Sequence, residues 1–284
     1  MKILDGKELS SEIKDNIRKE IEDLKNSGKR EPTLSVILVG EDPASHLYVS
    51  MKKKASEYVG ICSLSFQFDE KVSEDIIMEK IRELNSDDSV DGILVQLPLP
   101  NHIDSDKILN LVDPSKDVDG FHPENVGKLV TGLDGFVPCT PLGMIKLLDK
   151  YEIDIRGKNA VVVGASNIVG KPIASLLLNR EATVEVCHIY TDDLKKHTLN
   201  ADILVVAVGK ESLITADMVK DGVVILDVGI NKRESDGKIV GDVDYDGVSQ
   251  KASYITPVPG GVGPMTIAML LENTLKSAKN RLKV

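Results

Sequence analysis

Cysteine is scarce in this chain of 284 residues. The three present, Cys62, Cys139 and Cys187, are odd in number and far apart, which fits neither a disulfide framework nor a zinc site. Long apolar runs are missing as well. None approaches the roughly 20 residues that span a bilayer, so no membrane partner is expected. The opening stretch, Met1-Lys2-Ile3-Leu4-Asp5-Gly6-Lys7, has no signal-peptide apolar core, and a reducing cytoplasm is the expected home. Positive charge is in deficit: 35 Lys and Arg stand against 45 Asp and Glu, a formal net charge of −10. A nucleic-acid partner usually demands a basic face, so none is expected, and Lys52-Lys53-Lys54 is too short to supply one. The histidines, His46, His102, His122, His188 and His197, show no metal-ligand spacing. The acidic stretch Asp113 to Gly120 lacks the spacing of a calcium hand. No G-x-S-x-G elbow, internal repeat or low-complexity tract is present. No metal is expected.

What the chain does have is alternation between helical and strand periods. Leu9, Ile13, Ile17, Ile21 and Leu24 recur at helical spacing. Thr33 to Val39 reads as a buried strand, Pro43 to Val59 as a helix, Ser63 to Phe68 as a strand. Ile76, Ile77, Ile81 and Leu84 mark another helix, and Gly92 to Leu97 another strand. A second cycle begins near Pro141. Leu142 to Tyr151 and Val169 to Asn179 read as helices. Ala160 to Val163, Thr183 to Cys187, Asp202 to Val208 and Val223 to Val228 read as strands, and Pro264 to Leu282 as a closing helix. Near-continuous apolar strands of this kind suit a parallel sheet covered on both faces. Pro138-Cys139-Thr140-Pro141 is the candidate boundary between the cycles.

Val161 to Gly170 lies between a predicted strand and a predicted helix, the context of a dinucleotide loop. Gly164 allows a tight turn against a pyrophosphate, Gly170 allows close helix packing, and the helix N-terminus offers free N–H groups to the anion. The spacing is not G-x-G-x-x-G, because Ser166 stands where the second glycine would, and an ordinary βα turn remains the alternative. Tyr48 and Lys52, four apart on a predicted helix, share one face. Partial burial lowers a lysine pKa and lets the amine exchange protons near neutrality. The competing reading is a solvated lysine run with Tyr48 packed on the core. Gln96 sits near the end of its strand, where ligands bind in α/β sheets. Pro257 to Thr266 is a rigid Gly/Pro loop that either carries backbone donors or turns the chain.

Taken together these segments resemble the bifunctional methylenetetrahydrofolate dehydrogenase/cyclohydrolase family. The match is carried, in the family's order, by Tyr48-x-x-x-Lys52, Val95-Gln96-Leu97-Pro98-Leu99-Pro100, Lys116-Asp117-Val118-Asp119-Gly120 and Pro257-Val258-Pro259-Gly260-Gly261-Val262-Gly263-Pro264-Met265-Thr266. Pro138 to Pro141 and Gly164 to Gly170 also look like family segments, and the resemblance runs end to end.

The resemblance implies two α/β domains with a cleft between them. Residues 1–140 plus 264–284 would bind folate, and 141–263 would form a Rossmann-like NAD(P)-binding domain. It implies oxidation of 5,10-methylenetetrahydrofolate to the methenyl compound, hydrolysis of that product to 10-formyltetrahydrofolate, a place in purine biosynthesis, and a homodimer joined through the cofactor domain. Lys52 is the implied catalytic lysine, Tyr48 the aromatic that stacks on the folate, and Gln96 the partner that orients Lys52. Asp119 is the implied carboxylate on the pterin edge. Pro259, Gly260 and Gly261 would line the folate site, and Thr140, Gly164, Ala165, Ser166, Ile168, His188, Ile189 and Ile230 would lie at the cofactor.

NADP is favoured over NAD, because the strand tip Cys187-His188-Ile189-Tyr190 carries no acid for the ribose hydroxyls. Ile189 and Tyr190 depart from the arginine, lysine or serine common there in the family. That leaves Thr191, Lys171 or Lys195 as candidates to reach a 2′-phosphate. A different dinucleotide oxidoreductase and a non-catalytic binding protein on the same scaffold are the competing readings.

Overall fold

The computed structural model describes residues 1–283. In chain order the elements are β1 (Lys2–Ile3), α1 (Gly6–Asn26), β2 (Thr33–Val39), α2 (Pro43–Val59), β3 (Cys62–Phe68), α3 (Glu74–Ser86) and β4 (Gly92–Val95). There follow α4 (Ser105–Leu109), α5 (Pro123–Val130), α6 (Cys139–Lys150), β5 (Asn159–Val163), α7 (Gly170–Asn179), β6 (Thr183–Cys187) and α8 (Leu194–Thr198). The chain ends with β7 (Ile203–Val206), β8 (Val224–Asp227), β9 (Asn231–Lys232), β10 (Ile239–Val240), α9 (Tyr245–Val248), β11 (Tyr254–Ile255) and α10 (Val262–Leu282). The long periodic segments form where their pattern places them. The strand read as Gly92 to Leu97 stops two residues early, at Val95, ahead of the cis Leu97–Pro98 peptide. The short elements α4, α5, α8 and the β9–β10 hairpin have too few residues to show a period.

The chain divides into two compact units. One holds Ser11–Lys128, Asp134–Cys139 and the chain from Ile267 onward. Its three-stranded parallel sheet has the order β3-β2-β4. Every residue of β2 is buried, as a central strand covered on both faces requires. Ile77, Ile81 and Leu84 of α3 pack with Ile37, Ile93 and Val95 of the sheet in one apolar cluster. Helix α2 is bounded by recognisable signals. The Asp42 carboxylate accepts from Ser45 N at 2.8 Å, Pro43 occupies the first turn, and Gly60 adopts φ 89° past the end. Its buried residues are Ser45, Lys52, Ser56 and Val59, so one lysine lies on the packed side of the helix.

The other unit holds Met1–Ser10, Leu129–Leu133 and Thr140–Thr266. Relative to the division read from the sequence, the first ten residues and Leu129–Leu133 group with the second segment. The reason for the first is strand pairing: β1 adds parallel to β11, with Lys2 opposite Tyr254. Two residues are too few to announce a strand by alternation. The six-stranded sheet has the order β1-β11-β8-β7-β5-β6 and is parallel throughout. Strand β5 lies between β6 and β7, so the connections leave it toward opposite sides. The crevice at the carboxyl ends of β5 and β7 is therefore the topological switch point, where doubly wound sheets bind ligands. Val161, Val163, Leu204, Val206 and Ile225 are buried together in this unit's core.

Candidate active site

Lys52 is 9 % exposed, whereas its neighbours Lys53 and Lys54 point to solvent. The Lys52 Nζ donates to Gln96 Oε1 at 2.9 Å. Gln96 directly follows β4, and its backbone N–H donates to Ile37 O at 2.9 Å, extending the ladder with β2. The Gln96 Nε2 donates to Leu97 O at 2.7 Å. That bond uses the amide's donor side and leaves its oxygen for the lysine, so the acceptor role of Oε1 follows from the network. Tyr48, one turn before Lys52, is half-buried, and burial raises its phenol pKa.

Asp119 stands on a loop braced from several sides. Lys116 is 1 % exposed, and its Nζ donates to Leu84 O, Asn85 O and Asp87 O at 2.8, 2.8 and 2.7 Å, capping the end of α3. Ile93 N donates to Lys116 O at 2.8 Å, tying the loop to β4. The Asp117 carboxylate accepts from Gly120 N, Phe121 N, His122 N and Asn125 Nδ2 at 3.1, 3.2, 2.8 and 2.8 Å. Gly120 has φ 76°, and a Cβ there would lie 2.6 Å from Pro138 N, so only glycine fits. Asp117 is thus engaged by its own loop and by Asn125 of α5, whereas the Asp119 carboxyl meets the Cys139 thiol. Burial raises the Asp119 carboxyl above its usual range, the charge of Lys52 pulls it back, and that of Asp117 raises it further. Cys139 belongs to the same cluster. Burial, then the Asp119 charge, lifts its thiol well above the usual range. In the sequence Cys139 has no role beyond the cysteine count and the boundary segment, and Asp117 is named within the Lys116–Gly120 landmark without a role of its own. A thiol or a carboxylate with no motif of its own gives no sequence signal of burial.

In the six-stranded unit, Gly164 follows β5 with φ 121°, and a Cβ there would come 2.3 Å from Ala207 O. A Cβ on Gly170 would come 2.0 Å from Gly164 O. The loop therefore folds back on itself at the switch point, with Gly164 and Gly170 both buried against backbone, a turn of the kind that holds a dinucleotide pyrophosphate. One expectation is corrected. The N–H groups opening α7 are not all free: Ser166 Oγ accepts from Val169 N at 3.2 Å and Gly170 N at 3.3 Å. The serine in the second-glycine position acts as the cap, which the glycine template does not anticipate. Ala165 is half-buried, Ile168 and His188 are exposed, and Ile230 is 52 % exposed. Ile189, at the tip of β6, is 91 % exposed. Of the groups considered for a 2′-phosphate, Lys171 Nζ donates to Asn167 Oδ1, Lys195 Nζ to Asp217 Oδ2, and Thr191 Oγ1 accepts from His188 N, at 2.7, 2.7 and 2.9 Å.

The Gly/Pro loop also belongs to this unit. Gly260 has φ 112°, Gly261 N donates to Pro257 O at 2.8 Å, and Lys7 N donates to Gly260 O at 3.0 Å. A Cβ on Gly6 would fall 1.8 Å from Gly261 O, so the N-terminal segment packs directly on the Gly-Gly backbone beside Pro259. Thr140 Oγ1 lies 2.9 Å from Thr266 Oγ1. Among the described residues no group of three or more His, Cys, Asp or Glu could hold a metal ion, and no helix is long and apolar enough to cross a membrane.

These features define a class: an α/β protein with a glycine-bounded βα loop at the switch point of one unit and a buried, hydrogen-bonded amine in the other. Comparison with known proteins narrows it. Residues 4–119 match the model of the tetrahydrofolate dehydrogenase/cyclohydrolase catalytic domain, and residues 138–282 that of the NAD(P)-binding domain. A bifunctional protein FolD from Nitratiruptor is 63 % identical over 281 residues, 99 % of each chain. The crystal structure of the FolD methylenetetrahydrofolate dehydrogenase/cyclohydrolase from Campylobacter jejuni is 60 % identical, with TM-score 0.97 over 99 % of each chain. The Trypanosoma brucei dehydrogenase-cyclohydrolase, solved with NADP and an inhibitor, is 36 % identical, with TM-score 0.95 over 99 % of this chain and 98 % of that one. The chain belongs to the tetrahydrofolate dehydrogenase/cyclohydrolase family. It is a two-domain enzyme of folate chemistry that carries both activities and an NAD(P)-binding domain.

Proposed function

We propose that the chain oxidises 5,10-methylenetetrahydrofolate with NADP and hydrolyses the methenyl product to 10-formyltetrahydrofolate, with Lys52 as the proton carrier of the second reaction. The observation that carries this reading is the environment of one amine. Lys52 alone in a run of three lysines is buried, and Gln96 holds it at 2.9 Å. Hydride loss from the methylene carbon is assisted by the adjacent nitrogen lone pairs and needs orientation more than acid or base. A bound dinucleotide supplies the hydride acceptor, and the Gly164–Gly170 cradle is the part of this chain that holds it. In the hydrolysis, water adds to the methenyl carbon. The Lys52 amine takes the proton released as the C–O bond forms and returns it to the ring nitrogen as the C–N bond opens, while the hydroxyl proton of the adduct leaves to solvent as the C=O bond forms, so one proton is released net. Gln96 keeps Nζ in place through both transfers. Asp119 accepts hydrogen bonds from the pterin amide and amino groups, Tyr48 stacks on the ring, and the Pro259–Gly261 backbone contributes to the folate site.

NADP is supported by the absence of an acid directly after β6. The carboxylate within that strand, Glu185, is engaged by His197 Nδ1 at 2.5 Å. The NADP complex of the trypanosomal relative points the same way. A homodimer joined through this unit is supported by β6, which among the described residues pairs with β5 alone and carries exposed Val186. A cytoplasmic location and supply of one-carbon units to purine synthesis complete the reading. The test is a spectrophotometric assay with methylenetetrahydrofolate and each cofactor. Methenyl absorbance should grow with NADP and then decay. A clear kinetic preference for NAD would overturn the cofactor assignment, and no methenyl product with either would overturn the function.

A further inference from the structure

Two buried aspartates lie at the carboxyl edge of the six-stranded sheet, and nothing in the proposed chemistry uses them. Asp242 Oδ2 accepts from Val208 N at 2.7 Å and Gly209 N at 3.0 Å, and its Oδ1 accepts from Lys210 N and Asn231 Nδ2 at 2.8 and 2.9 Å. Three successive N–H groups converging on one acceptor make an anion-binding turn, with Gly209 at φ 67°. The chain fills it with its own carboxylate. Asp227, at the end of β8, holds Asp242 in turn. Its Oδ1 accepts from Gly229 N at 2.9 Å and Asp242 N at 3.0 Å, and its Oδ2 from Val243 N at 3.0 Å. The packing is reciprocal. A Cβ on Gly229 would fall 2.2 Å from Asp242 Oδ1, and one on Gly241 1.8 Å from Asp227 Oδ2, so each glycine seats the other's aspartate.

The turn that Asp242 fills begins where the dinucleotide cradle ends. A Cβ on Gly164 would meet Ala207 O at 2.3 Å and Val208 Cγ1 at 3.5 Å, so the backbone entering the turn is the wall against which Gly164 packs. Asn231, bonded to Asp242, directly follows Ile230, another residue assigned to the cofactor. We propose that Asp242, seated by Asp227, is a positioning residue for the dinucleotide: it fixes the Val208–Lys210 turn against Gly164 and so sets the shape of the cradle. The inference rests on this unit binding the dinucleotide. Asp227 also reaches the Gly/Pro loop, since its N–H donates to Thr256 Oγ1 at 2.7 Å. Asp242 has no such link, which makes it the cleaner position to perturb.

The experiment compares Asp242→Asn with the parent in both reactions. The amide keeps the size but turns one acceptor into a donor facing backbone N–H groups. The expected result is a rise of roughly tenfold or more in the KM for the dinucleotide, with kcat at saturating dinucleotide within about twofold of the parent. Hydrolysis of methenyltetrahydrofolate, assayed without any dinucleotide, should stay near the parental rate, which a general loss of fold would not allow. An unchanged dinucleotide KM, or an equal fall in both reactions, overturns the inference. Should Asp242→Asn not fold, Asn231→Ala decides: it removes one donor to Asp242, and a smaller rise confined to the dinucleotide KM supports the inference, while a parental KM overturns it. A parent that oxidises methylenetetrahydrofolate with neither NADP nor NAD would instead overturn the functional reading, and this inference with it.

Discussion

Replacing Lys52 by Met should separate the two activities. The side chain keeps its length and packing, and loses the amine. In the folded chain the immediate loss is the Nζ–Gln96 Oε1 bond of 2.9 Å, a charged hydrogen bond of roughly 1.5–3 kcal/mol. Lys52 also acts on Asp119, holding down a carboxyl that burial raises, so the variant should push the Asp119 pKa higher. The larger effect is on the reaction. Water addition and ring opening both move protons, and removing a positioned proton carrier slows such steps by roughly 100- to 10,000-fold. At about 1.4 kcal/mol per factor of ten, that is about 3–5.5 kcal/mol of barrier. Hydride transfer moves no proton to or from the chain, so dehydrogenase activity should fall less, through disturbed orientation alone. The assay follows loss of methenyl absorbance above the uncatalysed background, with formation of the methenyl compound measured on the same preparation. Lys53→Met and Lys54→Met, at exposed positions, serve as controls and should stay near parental. A Lys52→Met enzyme that hydrolyses methenyltetrahydrofolate at the parental rate, or three variants that behave alike, would remove the lysine from the mechanism.

Asp119→Ala should weaken folate binding by roughly 1.5–3 kcal/mol, the loss of a charged hydrogen bond, and leave the dinucleotide KM unchanged; equal losses in both would mark Asp119 as structural. Lys116→Met strands three carbonyls in a site where the lysine is 1 % exposed. It should destabilise the fold by roughly 3 kcal/mol or more, read as a fall in the thermal midpoint, and a parental midpoint would refute the capping role. Asp227 predicts a pH dependence. Burial is the main cause that raises its pKa to about 6 from 3.8, so the folded state binds this proton more tightly than the unfolded state does. Its contribution is therefore fully present below the unfolded value and is lost as pH rises through about 6. Compared with Asp227→Asn, the parent should gain thermal stability as pH falls from about 7 to about 4, on the order of 2–3 kcal/mol; a constant difference across that range would contradict the burial argument.

The long elements were legible because their signals are local. The helical recurrence of Leu9 to Leu24, the apolar run of β2 and the glycine after β5 each announce an element within a few residues. Motif order carried the candidate site as far as naming Lys52, Gln96 and Asp119. It did not extend to what holds them. Lys116 reaches back 32 residues to the Leu84 carbonyl of α3, and Asn125 closes on Asp117 from α5. No periodicity records such pairings, because each partner is an ordinary polar residue in its own neighbourhood.

The sequence by itself determined the order of the long strands and helices, the glycines of the turn after β5, and the family whose landmarks the chain carries in series. Only the tertiary structure decided which lysine of three is buried, and which aspartate of Asp117 and Asp119 is consumed by its own loop. It also decided that β1 belongs to the six-stranded sheet, and that Asp227 and Asp242 seat one another across a turn of Val208 to Lys210. The physical reason is the same in each case. Burial and hydrogen-bond satisfaction depend on groups brought together from distant parts of the chain, whereas hydrophobic period and backbone freedom are properties of consecutive residues.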